Sequence, residues 1–215
     1  EARIAKLENQ LGIQEDIGKA IAASLSVPLG LQQGESLVRN RTKSDANYED
    51  YLRAKALYRA RGYTRLVEAS KLLEQVVARE PDYAPAWALL ALDDFFIPVY
   101  HPAYLTGAYD QVRPVIDAYL PKAESAARRA IQLDPKSSEG YAALGLVQFA
   151  RGEILQSADL QSHALTLDPD NPDTLHTYSA LLANAGYIKE AVPLRRRLQA
   201  LEPFVPIFAQ ISAAI

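Results

Sequence analysis

A chain of 215 residues, 49% hydrophobic and 23% charged, has the length and composition to bury a core without disulfides or metals. Its 23 basic and 26 acidic residues leave a net charge of −3, too weak a positive field to hold a polyanion, which sets nucleic-acid binding aside as a main role. The absence of cysteine excludes thiolate metal sites, cysteine nucleophiles and disulfide frameworks together, and leaves the compartment undetermined.

The opening residues carry neither an initiator Met nor the charged and apolar regions of a signal peptide, so the expectation is a fragment or processed product with something upstream. Ile4, Leu7 and Leu11, then Ile17, Ile21 and Leu25, form amphipathic helical stripes, the second ended by Pro28. Residues 29–46 are a polar connector in which Arg39, Arg41 and Lys43 read as a solvated cluster. Residues 1–46 are therefore read as the tail of an upstream domain, with residues 1–28 expected to pack on and cap the domain that follows.

From residue 47 the chain repeats. Glu80-Pro81, Asp134-Pro135, Asp168-Pro169 and Glu202-Pro203 are spaced by 54, 34 and 34 residues, the first gap being one period with 20 residues added. Gly152 pairs with Gly186, Ala123 with Ser157 and Ala191, and Ala130 with Ala164 and Leu198. Each unit reads as two helices: a glycine closes the first, and the residue before each repeat proline is pushed out of the α region, which stops the second. Asn171 is an N-cap with Pro172 at the first helical position.

The units are placed at about 47–83, 84–137 with the 20-residue insertion, 138–171 and 172–205, followed by a capping or partial helix over 206–215. The first unit's turn, Gly62 to Ser70, is read as longer than usual. In the second unit the insertion runs from Phe95 to Pro114, a short extra helix follows, and Pro121 starts the true outer helix. Pro193 should kink or shorten the start of the last outer helix without abolishing the repeat.

Tyr141, Leu144, Gly145, Gly152, Ala164 and Pro169 reproduce the pattern of the tetratricopeptide repeat (TPR), which this chain resembles over about residues 47 to 203. The resemblance implies an all-α, right-handed superhelical solenoid of about four hairpins, whose inner helices line a concave groove. Tyr178-Ser179 in place of Leu-Gly, and Arg195 at a usually apolar place, depart from the pattern. Gln14, Ile17 and Ile21, with Tyr51, Leu52 and Arg53, further resemble the C-terminal region of bacterial class III adenylate cyclases and winged-helix regulators, in which a TolB-like domain leads into TPRs. That likeness implies a regulatory arm of a larger signalling protein.

Motifs of catalysis are missing: there is no GxxxxGK[ST], GxGxxG or GxSxG, and His101, His163 and His176 form neither an HExxH pair nor a Cys/His cluster. No catalytic residue, metal or cofactor is expected. Asp93-Asp94 reads as solvated or capping, since adjacent helical residues point about 100° apart and do not converge as a catalytic pair would. Arg195-Arg196-Arg197 reads as a solvated face near a helix C-terminus.

The functional candidates are the insertion aromatics Tyr100, His101, Tyr104 and Tyr109, read as a structural plug or a ligand or partner site, and a groove formed by Leu52, Leu92, Phe95, Phe96, Leu146, Phe149, His176 and Asn184. Of Phe95 and Phe96, one should face the groove and the other the neighbouring hairpin. Leu52, Ala56, Ala88 and Ala142 stand where a chaperone-type clamp would need Lys, Asn or Arg, which argues against that subclass. The expected partner is a protein or peptide, with a small molecule at the insertion as the alternative. Neither nucleic acid nor membrane insertion is expected of this segment, and a homodimer stays open.

Overall fold

The computed structural model describes Thr42 and residues 44–201, which form helices α1 (Asp45–Ala60), α2 (Tyr63–Arg79), α3 (Ala84–Val99), α4 (Pro102–Leu105), α5 (Tyr109–Leu133), α6 (Ser138–Ala150), α7 (Ile154–Leu167), α8 (Pro172–Asn184) and α9 (Ile188–Leu201). No strand occurs among the described residues. The expected N-terminal helices and the capping helix 206–215 lie outside them.

The repeat is visible first in its punctuation. Ser44, Ser137 and Asn171 each accept a hydrogen bond from the amide three residues on, and so start α1, α6 and α8. Glu80, Asp134 and Asp168 close α2, α5 and α7 with nearly the same backbone, φ between −140° and −135° and ψ between 78° and 98°. Proline follows each, and its ring keeps that residue extended. Asp134 and Asp168 add an Asx turn, each accepting from the amide two residues on.

Helices pack as sequential antiparallel pairs, α1 on α2, α3 on α5, α6 on α7 and α8 on α9, and each pair leans on the next. The repeat positions on the outer helices all face the core: Ala123, Ser157, Ala191, Ala130, Ala164 and Leu198 are buried. Gly145 allows a close approach within the third hairpin, because a Cβ there would lie 3.1 Å from Gln161 Cγ. Gln161 uses that space to tie three helices, donating to the Ala142 carbonyl at 3.2 Å and accepting from the Thr177 hydroxyl at 3.2 Å.

Two sequence expectations need correction here. The first turn is short, not long: Arg61 at φ 52° and Gly62 reverse the chain at once, and the extra residues lengthen α1 and α2 instead. Leu66, fully buried, is already in the first turn of α2. Pro121 does not start the outer helix of the second unit. It lies inside one continuous 25-residue helix, α5, that also contains Pro114. Apolar packing holds the two proline turns in line, since Val112 is fully buried and Val115 and Tyr119 pack on the core. Most of the 20-residue excess thus becomes helix, a longer α3 and a much longer α5, with only α4 and its turns between them. Pro193 likewise sits within an unbroken α9.

Gly152 and Gly186 close α6 and α8 with φ 84° and 87°, and a Cβ at either meets no atom within 4 Å. An alanine there would pay only backbone strain. Gly152→Ala and Gly186→Ala should each lower stability by about 1 kcal/mol in denaturant unfolding, with no change in helix content; a neutral effect at both would show that the positive φ is not required.

Candidate functional site

The C-terminal turns of α3 carry Phe95, Phe96 and Val99 past the end of α6, and the added first half of α5 places Ile116 and Leu120 opposite α8. Between these walls lies a cavity of about 400 Å³, lined deeper in by Asp94 of α3, Leu146 of α6 and Ser157 and Gln161 of α7, with the exposed Phe149 of α6 at its edge, and closed on the far side by His176, Thr177, Ala180 and Asn184. Tyr104 stands at its rim. A second cavity of about 270 Å³ lies toward the N-terminal ends of the inner helices, between Tyr51, Lys55 and Tyr58 of α1, Leu89 and Leu92 of α3, and Glu139 and Asp173.

An arginine divides the two. The Arg61 guanidinium lies 3.9 Å from the centre of the Tyr58 ring and 4.5 Å from that of Phe96, and its Nη2 donates to Asp173 Oδ1 at 2.7 Å. The Tyr58 hydroxyl donates to the other oxygen of Asp173 at 3.0 Å. A residue of the first hairpin is thereby bonded to one of the fourth, across the concave face. Arg61 reaches this position from a backbone of φ 52° and ψ 177°, a region that side chains other than glycine seldom occupy.

Of the groove candidates, Phe95, Phe96, Leu146, Phe149, His176 and Asn184 line the larger cavity and Leu92 lines the smaller. Leu52 is exposed on α1 and lines neither, because the stripe facing inward there is Tyr51, Lys55 and Tyr58. Phe96 turns toward the neighbouring first hairpin, as expected of one of the two phenylalanines, and still reaches the cavity. Both rings line the cavity, meeting edge to face at 5.3 Å, while Phe96 also packs 6.2 Å from Tyr58.

The insertion aromatics separate into two groups. Tyr100 meets Phe96 edge to face at 6.3 Å, and His101 packs 4.8 Å from Tyr63 while its Nδ1 caps α4. Tyr104 and the 63% exposed Tyr109 form an outer pair 5.8 Å apart.

Two polar groups expected in solvent are buried. Asp93 and Asp94 are 0% and 1% exposed. Asp94 Oδ1 accepts from the Ser70 hydroxyl at 2.8 Å, whereas neither oxygen of Asp93 has a hydrogen-bond partner. Their place on a helix with apolar residues on every side, Leu89 to Leu92 before and Ile97 after, leaves no solvent face for them to occupy. Burial, and then Asp94, push the Asp93 carboxyl up to about 8, against the pull of Arg61 and the Ser70 backbone. Burial raises Asp94 to about 6, with Ser70 and Lys122 opposing and Glu74 adding.

Arg195 is likewise no part of a solvated face: at 5% exposure it lies behind His176 and donates to its Nδ1 at 3.1 Å, while Arg196 and Arg197 stay outside. Burial first, and Arg195 second, press His176 down to about 4, so the ring is neutral at physiological pH.

No family model matches the chain, and no curated protein does. Among solved structures, a thermophilic TPR protein of Thermus thermophilus matches with a TM-score of 0.60 and 19% identity, over 79% of this chain and 81% of that one. The fold is a TPR solenoid. An O-GlcNAc transferase from Thermobaculum terrenum matches at 20% identity and a TM-score of 0.48, over 64% of this chain and 22% of its own. The first TPR domain of Spaghetti, solved with an HSP90 peptide, matches at 13% identity and 0.48, over 69% of this chain and 99% of its own.

Along α8, Asp173 lines the smaller cavity and His176, Ala180 and Asn184 line the larger. Sequence reasoning missed Arg61 as a groove residue, Asp94 and Gln161 as cavity lining, and Ile116 and Leu120 as a wall. An arginine directly before the turn glycine was the one available signal for Arg61.

The buried acids give a pH dependence of defined sign. A carboxyl whose folded pKa is raised binds its proton more tightly in the native state, so stability falls as pH climbs from about 4, the unfolded value, through about 8, and is level above. Asp93→Asn should flatten this slope and make the protein more stable than wild type at pH 8, by on the order of 2 kcal/mol. Denaturant midpoints at pH 5 and pH 8 check it; parallel profiles for the two proteins would mean that Asp93 does not titrate in that interval.

Proposed function

We propose that this chain is a non-catalytic protein-interaction module that takes a peptide or helix of a partner protein on its concave face. The cavity at the larger site carries the reading: its walls are apolar and aromatic, and it lies at the surface where the inner helices of a TPR solenoid are accessible. Its rim residues Tyr104 and Phe149 remain exposed, as anchors for a partner would be.

The Arg61 bridge shapes what can bind. An extended segment cannot run straight from one cavity into the other while Arg61 holds Asp173, so the partner enters as a helix end or a short apolar anchor. A small molecule is the second reading, favoured by a volume within the usual range for ligand pockets. The resemblance of the N-terminal stretch around Gln14, Ile17 and Ile21 supports placing the module as a regulatory arm of a larger bacterial signalling protein, adenylate cyclase-like or a transcriptional regulator. No helix among the described residues is long and apolar enough to cross a membrane.

Tyr104→Ala with Phe149→Ala removes rim aromatics that are about two-fifths exposed. The double variant should lose at least tenfold in affinity for a partner captured by the wild-type chain, while its melting temperature stays within a few degrees. Unchanged affinity at unchanged stability would remove the cavity from the interaction.

A further inference from the structure

Asp94 is a carboxylate at the floor of an aromatic cavity, and its charge is only half accounted for. Ser70 donates to Oδ1 at 2.8 Å, and among the described residues Oδ2 accepts no hydrogen bond although the side chain lines the cavity. One residue away, Asp93 is fully buried with both oxygens unpartnered. The other charged groups around Asp94 are Glu74 of α2 and Lys122 of α5, and these already bond each other at 3.0 Å. The local balance is therefore negative.

Taking carboxylates out of water without a counter-ion is costly, and such an arrangement recurs at binding sites rather than in inert cores. Around the same cavity stand Phe95, Tyr104 and Phe149, whose ring faces attract cations, while Phe96 already carries the Arg61 guanidinium on one face. On the opposite wall, neutral His176 is backed by the buried guanidinium of Arg195, which repels a cation from that end.

We infer that the larger cavity is a binding site for a small apolar amine, whose ammonium group pairs with Asp94 Oδ2 while its hydrocarbon or aryl body fills the space between the phenylalanines. The inference rests on the cavity taking a small ligand and is independent of the partner-binding reading, since it is tested with no protein partner present. Size agrees: about 400 Å³ holds a phenylalkyl or medium-length alkyl ammonium ion, and the Arg61 bridge closes the side toward the second cavity.

Titration adds a signature. Asp94, raised to about 6, is ionised at pH 7.5 and mostly protonated at pH 5, where it offers a cation no charge. Affinity for the amine should fall about tenfold over that interval, the ratio of the ionised fractions. His176, pressed down to about 4, stays largely neutral throughout and contributes little to the change.

The test is calorimetry on the full chain with 2-phenylethylamine, set against 3-phenylpropionate and 2-phenylethanol as an anion and a neutral molecule of similar size. Saturable binding of the amine, at least tenfold tighter than either control, weakened about tenfold at pH 5 and abolished by Asp94→Asn, is the expected result. Phe149→Ala, at an exposed rim position, should weaken the amine several-fold with the fold intact, which keeps the test decisive if Asp94→Asn fails to fold. Equal or tighter binding of the acid or the alcohol, amine affinity independent of pH, or no saturable amine binding at millimolar concentration would overturn it.

Discussion

The geometry of the concave face depends on one guanidinium. Arg61 leaves α1 through a backbone conformation that costs free energy, stacks between Tyr58 and Phe96, and bonds Asp173 at the start of α8. The cost of a strained residue is of order 1–3 kcal/mol and persists only where surrounding contacts over-determine it. Here two aromatic faces and a charge-assisted hydrogen bond supply those contacts. Their consequence is larger than a local contact, because solenoid hairpins ordinarily touch only their sequence neighbours. Joining the first to the fourth turns an open trough into two separate cavities.

The second unit gives the larger cavity its depth. A plain 34-residue repeat would end its inner helix one turn earlier and start its outer helix about three turns later, near Leu120, and Ile116 would be absent from the wall. The insertion thus builds a site chiefly by extending helices that already exist. The acidic pair lies in the interior just before that extension, where Asp94 gains one hydroxyl donor in Ser70 and both oxygens of Asp93 have none among the described residues. Apolar residues at 93 and 94 would serve packing better. Burial without full compensation disfavours the ionised acids, and Asp94 of the pair lines the larger cavity.

Much of the fold was legible because caps and turns are local chemistry. Acid-proline pairs, turn glycines and N-cap residues act within four residues of themselves, so the period could be counted from the sequence, and the six small or apolar repeat positions of the outer helices fell in the core as the period required. The inside of the insertion was not legible for the opposite reason. Pro114 and Pro121 are breakers by local rule, yet α5 continues through both, with Val112 buried and Tyr119 packed against distant helices. Asp93 and Asp94 misled for a related reason, since charge argues for solvent until every face of the helix proves to be covered. Of the residues chosen by helical spacing, His176 and Asn184 on α8 line the larger cavity, whereas on α1 the lining residue is Tyr51, one position from Leu52. Arg61 could not be found from periodicity at all, because it acts from a turn and across 112 residues of sequence.

A double-mutant cycle on Arg61 and Asp173 measures most directly whether the first hairpin is fastened to the fourth. With Arg61→Ala, Asp173→Ala and both together, denaturant unfolding should give a coupling free energy of about 1–3 kcal/mol, as for a largely buried charge-assisted pair. Effects that add to within about 0.3 kcal/mol would mean that the two residues do not stabilise each other, and that the concave face is a continuous groove rather than two cavities.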